Sequence, residues 1–256
     1  MAVILALLAI GGLLGACGSS HSATTTIARA AATTPHAGAF TGTPVGAGRP
    51  LTKAQARAFA RAVNLRPQDL PGFKVPRPER EHETSAEKQQ GHAFLRCVGS
   101  VAFKRALFEA GSKNFERQTS SSTESVHSDV EVARTPALAA EELAAAHSEH
   151  ARACLSSFLQ QLLGAQGHSE GGTVGPVSVE VFTPSAPGTA GTFGWRISAT
   201  FSLHGIQVPA RFDILGFGYR TAVVILLHSG FPQLPASSKE QSLFSLLISR
   251  AQSFPR

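Results

Sequence analysis

Between Phe193 and Leu203 apolar and polar residues alternate strictly. Phe193, Trp195, Ile197, Ala199, Phe201 and Leu203 fall on one side, and Gly194, Arg196, Ser198, Thr200 and Ser202 on the other. His204-Gly205 interrupts the pattern, and Ile206, Val208, Ala210, Phe212 and Ile214 then resume it. A period of two marks half-buried β-strands. A two-residue turn at His204-Gly205 sets Leu203 opposite Ile206, Phe201 opposite Val208, Ile197 opposite Phe212 and Trp195 opposite Ile214, so every apolar residue shares one face. Arg196 then meets Asp213, an opposite-charge cross-strand pair worth roughly 0.2–1 kcal/mol. A slip of one residue destroys both agreements.

The surrounding chain supplies partners. Gly216-Phe217-Gly218 reads as a further turn. Thr221–Leu227 is apolar on both faces, with Val223 and Ile225 on one and Val224 and Leu226 on the other, as in a strand covered on both sides. Something must therefore cover the polar face of the hairpin, or a ligand must lie there. Val177, Val179 and Val181 alternate with Ser178 and Glu180. Val126, Ser128, Val130 and Val132 form the buried face of another strand, with His127, Asp129 and Glu131 facing solvent.

Helical spacing appears elsewhere. Thr52 caps a helix to Leu65 with Ala56, Phe59, Ala60 and Val63 as its apolar stripe. Leu70-Pro71-Gly72-Phe73 suits a type II turn, and Arg77–Lys88 reads as a loop or a helix start. A second helix is expected over Ala86–Glu109, with Cys97 inward and Gly111 past its end. Thr135-Pro136 opens a helical stretch to Leu163, broken near Ser148 and stopped by Gly164; Ala151, Cys154, Leu155, Phe158 and Leu162 form its stripe. Ser237 and Glu240 make a capping box for a last helix that buries Leu243, Phe244, Leu247, Ile248 and Ala251. The order α, α, β, α, β, β, β, β, α gives an α+β fold: an antiparallel sheet, with its meander near the C-terminus, flanked by helices.

The N-terminal stretch changes the picture. Residues 2–16 are all apolar or glycine. Fifteen residues of helix reach about 22 Å, short of the ~30 Å hydrocarbon core, and the run ends at Gly18-Ser19-Ser20-His21. That predicts a cleaved export signal. Leu14-Gly15-Ala16-Cys17 resembles the lipobox of bacterial lipoproteins, and the resemblance implies that Cys17 receives a diacylglyceryl group and becomes the mature N-terminus, tethered at the outer face of a cell membrane. The departure is the missing basic start: the first Lys or Arg is Arg29. Either the N-terminal amine supplies the charge or the true start lies upstream, and an ordinary secretory signal with an incidental cysteine is the alternative. In residues 18–50, Ala, Thr, Gly, Ser and Pro occupy 26 of 33 positions, too little apolar material for a core. The expected organisation is a signal over 1–16, a lipidated Cys17 with a stalk to residue 50, and one ligand-binding domain over 51–256.

The net charge of +6 is uneven: residues 51–117 hold 13 Lys/Arg against 7 Asp/Glu, and residues 118–171 hold 2 against 7. A basic exported protein suits anionic lipid or wall polymer, although a solvated basic helix face gives the same count. No aromatic–basic repeat or reader motif points to nucleic acid. With Cys17 acylated, Cys97 and Cys154 remain as a pair in an oxidising compartment. A bridge between the two helices would be worth roughly 4 kcal/mol in the chain-entropy model. The alternative is zinc held by both sulfurs with His150 and His147.

The layout resembles a group of actinobacterial lipoproteins and the extracytoplasmic sensor domains of membrane serine/threonine kinases, through Leu70-Pro71-Gly72, Cys97, Cys154, the Phe193–Leu227 meander and the last helix. The kinase-linked domains carry more than one disulfide, whereas one is possible here. The resemblance implies ligand or partner sensing outside the membrane. An enzyme is not expected: no Gly-x-Ser-x-Gly elbow exists, and adjacent His228 and Ser229 point to opposite faces of a strand. Glu141-Glu142 reads as a solvated pair and Trp195 as core. The reading is a non-enzymatic binding or sensing module without cofactor or metal. Trp195, Arg196, Arg211, Val224, Leu226 and His228 are the candidate ligand residues for a small molecule, lipid or envelope protein. A carrier of apolar envelope molecules and an envelope hydrolase are the alternatives.

Overall fold

The computed structural model describes residues 50–76, 89, 93–94, 96–98, 106–169, 171–233 and 236–255. The signal, Cys17 and the stalk to residue 49 lie outside the described residues, as does the charged 77–88 stretch.

Helix α1 (Lys53–Val63) starts as expected. The Thr52 hydroxyl accepts the Gln55 N–H, and the Gln55 side chain accepts the Thr52 N–H in return. Its apolar stripe Ala56, Phe59, Ala60 and Val63 is fully buried. A single 3₁₀ turn (Pro67–Asp69) follows. The Phe73 N–H then donates to the Leu70 carbonyl at 3.1 Å, across a turn whose Gly72 has φ +83°, a conformation that favours glycine.

Eight strands form one antiparallel sheet: β1 (Ala106–Gly111), β2 (Phe115–Gln118), β3 (Thr123–Ala133), β4 (Thr173–Val174), β5 (Ser178–Phe182), β6 (Gly191–Leu203), β7 (Ile206–Tyr219) and β8 (Ala222–Phe231). The central order is β3-β8-β7-β6. At one edge β1 and β2 both pair with β3, and at the other β4 and β5 both pair with β6. The β6–β7 register has Leu203 opposite Ile206, Trp195 opposite Ile214 and Arg196 opposite Asp213. His204 and Gly205 both take positive φ, 49° and 81°, as a type I′ turn requires.

Helices cover both faces. Against one lie α1 and α4 (Ser237–Ser253), whose Leu243, Phe244, Leu247, Ile248 and Ala251 pack on Val126, Val130, Leu215, Phe217, Val224 and Leu226. Against the other lie α2 (Pro136–Ala146) and α3 (Glu149–Ser169), whose Leu143, Leu155, Phe158 and Leu159 meet Phe193, Trp195, Ile197, Ile214, Val223 and Ile225. Strand β8 is buried along its whole length. The bridge joins Cys97 to Cys154 of α3, with Cα atoms 5.8 Å apart.

Seven expectations need correction. Cys97, expected to face inward, is exposed, and only its partner Cys154 is buried in the core. Residues Ala106–Glu109, read as helix end, belong to β1: pairing with β3 overrides their helical propensity. Gly216 and Gly218 do not turn the chain. They lie inside β7, where a Cβ at Gly216 would enter the Phe193 ring and one at Gly218 would meet Leu143; the turn comes at Arg220, φ 57°. Gly164 does not stop α3, which continues to Ser169. Ser237 caps nothing: α4 begins after Ala236 without a side-chain cap, and Glu240 turns inward. The Asp129–Glu131 face of β3 is covered, with both residues 4% exposed. Glu142 is not solvated, since both its carboxylate oxygens are buried.

Candidate functional site

Register alone lines up the centre of the site. Arg196 on β6, Asp213 on β7 and His228 on β8 sit directly opposite one another, on the face that α4 covers. Arg211 lies two residues before Asp213 on the same face. Glu124 lies one step along β3 from Val126, which faces His228. The first turn of α4 adds Lys239 and Glu240 from above.

These groups form one network. The Arg196 Nε donates to Asp213 Oδ1 at 3.1 Å, and the Arg211 Nε to Asp213 Oδ2 at 2.6 Å. Glu124 receives Lys239 Nζ at 3.1 Å, Arg117 Nη2 at 2.5 Å and the ring Nε2 of His228 at 2.7 Å. His228 Nδ1 lies 3.9 Å from Glu240 Oε2, and both atoms are buried without a hydrogen-bond partner among the described residues. The Asp213 side chain is fully buried and Glu124 and Arg211 are nearly so, at 12% side-chain exposure, while Lys239 at 27%, Arg196 at 30% and Arg117 at 49% form the rim. Aromatic rings hold the rim in place: Lys239 Nζ stands 3.9 Å from the Phe73 centroid, Arg117 lies over the same ring, and Arg196 lies over Phe182.

Burial pushes the Glu124 carboxyl up, but hydrogen bonds from His228 and Lys239 outweigh it and hold it at about 2. Glu240 goes the other way: burial first, then the neighbouring Asp213, raise it to about 8, so it carries its proton at neutral pH. Burial lowers the Lys239 ammonium, and Glu124 opposes that shift. Four cations thus face three ion-paired carboxylates, Asp213, Glu124 and the exposed Glu180, whose Oε2 lies 4.0 Å from Arg196 Nη1, together with one protonated acid. The remaining surplus is a single positive charge, with Lys239 and Arg117 at the exposed side.

The structure brings Arg196, Arg211 and His228 together. Val224 and Leu226 lie further along the same face, fully buried in the α1/α4 core. Trp195 is on the opposite face, its indole N–H donating to the Ala146 carbonyl at 3.0 Å. Ser229 points away from His228, and the hydrogen bonds of the His228 ring give it no hydroxyl or thiol partner. His147 bonds the Thr192 carbonyl, not the disulfide. Glu124 and Glu240 were missed by sequence reasoning. Glu240 was findable, because it precedes Leu243 and Phe244 by three and four residues and so falls on the apolar stripe of α4.

Two further features stand apart from this network. Glu131 and Glu142 face each other beneath α2; burial and then the Glu142 charge push Glu131 to about 9, and burial raises Glu142 as well. An open groove of about 690 Å³ lies between α3 and β5, lined by Arg152, Ser156, Gln160, Val177 and Val179 among others. Among the described residues no helix is long and apolar enough to cross a membrane.

No protein-family model, curated protein or solved structure matches this chain.

Proposed function

We propose that this chain is a non-enzymatic binding module, held outside a cell membrane by lipid on Cys17, and that it engages an anionic group at the rim formed by Arg196, Lys239 and Arg117, with Arg211 behind it. The surplus of positive charge around a protonated Glu240 carries the reading. An incoming anion meets guanidinium and ammonium groups already oriented by Phe182, Phe73 and the buried acids, so little side-chain entropy is lost on contact. The Cys97 bridge, read as a tie between α3 and a helical segment, steadies the other face. The likeness of layout to extracytoplasmic sensor domains belongs to the same proposal.

The carrier reading draws less support. It needs space beside the doubly apolar strand, yet the side chains of α1, α2, α3 and α4 pack against β8 or its neighbours. The hydrolase reading needs a nucleophile near His228, and the imidazole faces two carboxylates instead.

Calorimetric titration with inorganic phosphate and glycerol phosphate tests the rim. Arg196→Ala with Lys239→Ala should weaken binding about tenfold or more; unchanged affinity in the double variant overturns the assignment. Intact-mass measurement of membrane-extracted protein tests the tether. A diacylglyceryl adduct on Cys17 is expected, and an unmodified residue there removes it.

A further inference from the structure

The Cys97–Cys154 bridge has an unusual neighbour. His150 precedes Cys154 by one helical turn on α3, so both side chains lie on the same side of the helix. Its Nε2 stands 2.6 Å from the Cys97 carbonyl oxygen and 3.7 Å from Cys154 Sγ. A carbonyl oxygen only accepts, so Nε2 carries a hydrogen. The imidazole is therefore a donor directed between the carbonyl and one particular sulfur. The two cysteines differ in exposure as well: Cys97 and His150 are exposed residues, whereas Cys154 is 4% exposed.

We infer that this bridge is a thiol-exchange site, opened by a low-molecular-weight thiol that modifies Cys97. The entering thiolate attacks Sγ of the exposed Cys97. The Cys97–Cys154 bond breaks, and its electron pair leaves on Cys154 as a thiolate. The external thiol is thereby oxidised into a mixed disulfide with Cys97, and Cys154 is the reduced partner. The His150 N–H donates to the new thiolate, which speeds departure because exchange depends on the stability of the leaving sulfur. A second external thiolate can attack the mixed disulfide and release Cys97 with a symmetrical external disulfide. The ligand atoms of Cys97, His150 and Cys154 lie within 4.8 Å of one another, but sulfurs joined in a disulfide offer no thiolate to a metal.

Opening has a structural reach. Phe94, 5% exposed, packs on Phe158 of α3 with ring centroids 5.1 Å apart, and the Val98 N–H bonds the Phe94 carbonyl. Severing the bridge removes the covalent tie of this part of the chain to α3; among the described residues that aromatic contact, the packing of Val98 on the same core and the His150 hydrogen bond remain.

The test uses the oxidised chain with glutathione, followed by acid quench, alkylation and peptide mapping. Glutathione should appear on Cys97 and the alkyl label on Cys154. His150→Ala, which keeps the disulfide and is checked for native circular dichroism, should slow adduct formation about tenfold, as loss of a hydrogen bond to a charged group implies. His150→Gln restores an N–H donor and should recover most of the rate. With Cys97→Ser, alkylation of the freed Cys154 at mildly acidic pH should be faster than in the Cys97→Ser, His150→Ala double variant. If Cys97→Ser does not fold, the exchange rates of the two His150 variants still decide. Adduct on Cys154, equal rates in wild type and His150→Ala, or no exchange before global unfolding would each overturn the inference. So would a cobalt(II) thiolate absorption in the reduced protein that vanishes with His150→Ala, since His150 would then be a ligand.

Discussion

The sheet buries acids on both faces, and the two groups behave differently. Beneath α4, Asp213 and Glu124 are met by Arg196, Arg211, Lys239, Arg117 and His228, and Glu124 is held at about 2. Beneath α2, Glu131 and Glu142 face each other, and Glu131 is driven to about 9. Burial acts in the same direction on Glu124 and Glu131; the neighbours decide which way each carboxyl ends. Glu240 shows the boundary between the cases: it stands in the cation-rich cluster but beside Asp213, and it keeps its proton to about 8. On the α4 side the buried acids are thus ion-paired, with Arg196 and Lys239 reaching the surface, whereas Glu131 on the other face is neutralised by a proton.

The largest test of this contrast is Asp213→Ala. It strands Arg211 and Arg196 without their shared counter-charge, and a loss of about 3–5 kcal/mol in urea unfolding is expected. Glu124→Ala removes the acceptor of three donors and should cost about 2–3 kcal/mol at neutral pH.

Glu131→Gln should act in the opposite direction. Folding at neutral pH forces a proton onto Glu131 that the unfolded chain would not hold, so the amide should stabilise by about 1–2 kcal/mol. The pH dependence separates the two faces. Glu131 and Glu240 have folded values above the ordinary 4.5, so their contribution is complete below 4.5 and is lost as pH rises toward 8–9. Glu124 has a folded value below 4.5, so its contribution is present above 4.5 and is lost as pH falls toward 2. Urea midpoints should peak in mild acid near 4.5 and decline on both sides. The alkaline slope should shrink in Glu131→Gln and Glu240→Gln, and the acid slope in Glu124→Gln. A profile flat from mild acid to mild alkali would contradict the raised pair. The smallest effect belongs to Lys239→Met. Its half-exposed ammonium shares Glu124 with two other donors, and a change under about 1 kcal/mol is expected.

Legibility in the sequence followed the length of each periodic run. The β6–β7 hairpin could be registered residue by residue, because a slip exposes every apolar side chain at once. Arg196 opposite Asp213 was readable from that register, and His228 was noticed at the end of an apolar strand. Ala106–Glu109 was not readable: Ala, Leu and Glu favour helix locally, and only pairing with β3, distant in the chain, makes them a strand. Gly216 and Gly218 looked like punctuation because nothing local reveals Phe193 and Leu143 packed above them. Glu124 and Lys239 lie 115 residues apart, so their contact has no local trace.

The sheet's flanks have a further consequence. Each outermost position is shared by two brief segments, β1 with β2 and β4 with β5, and Lys74 bridges to Glu116 on one of them. The four long strands are all interior. A neighbouring molecule seeking to extend the ladder would find only interrupted stretches of amide and carbonyl to copy. Among the described residues, such edges make these molecules poor templates for one another.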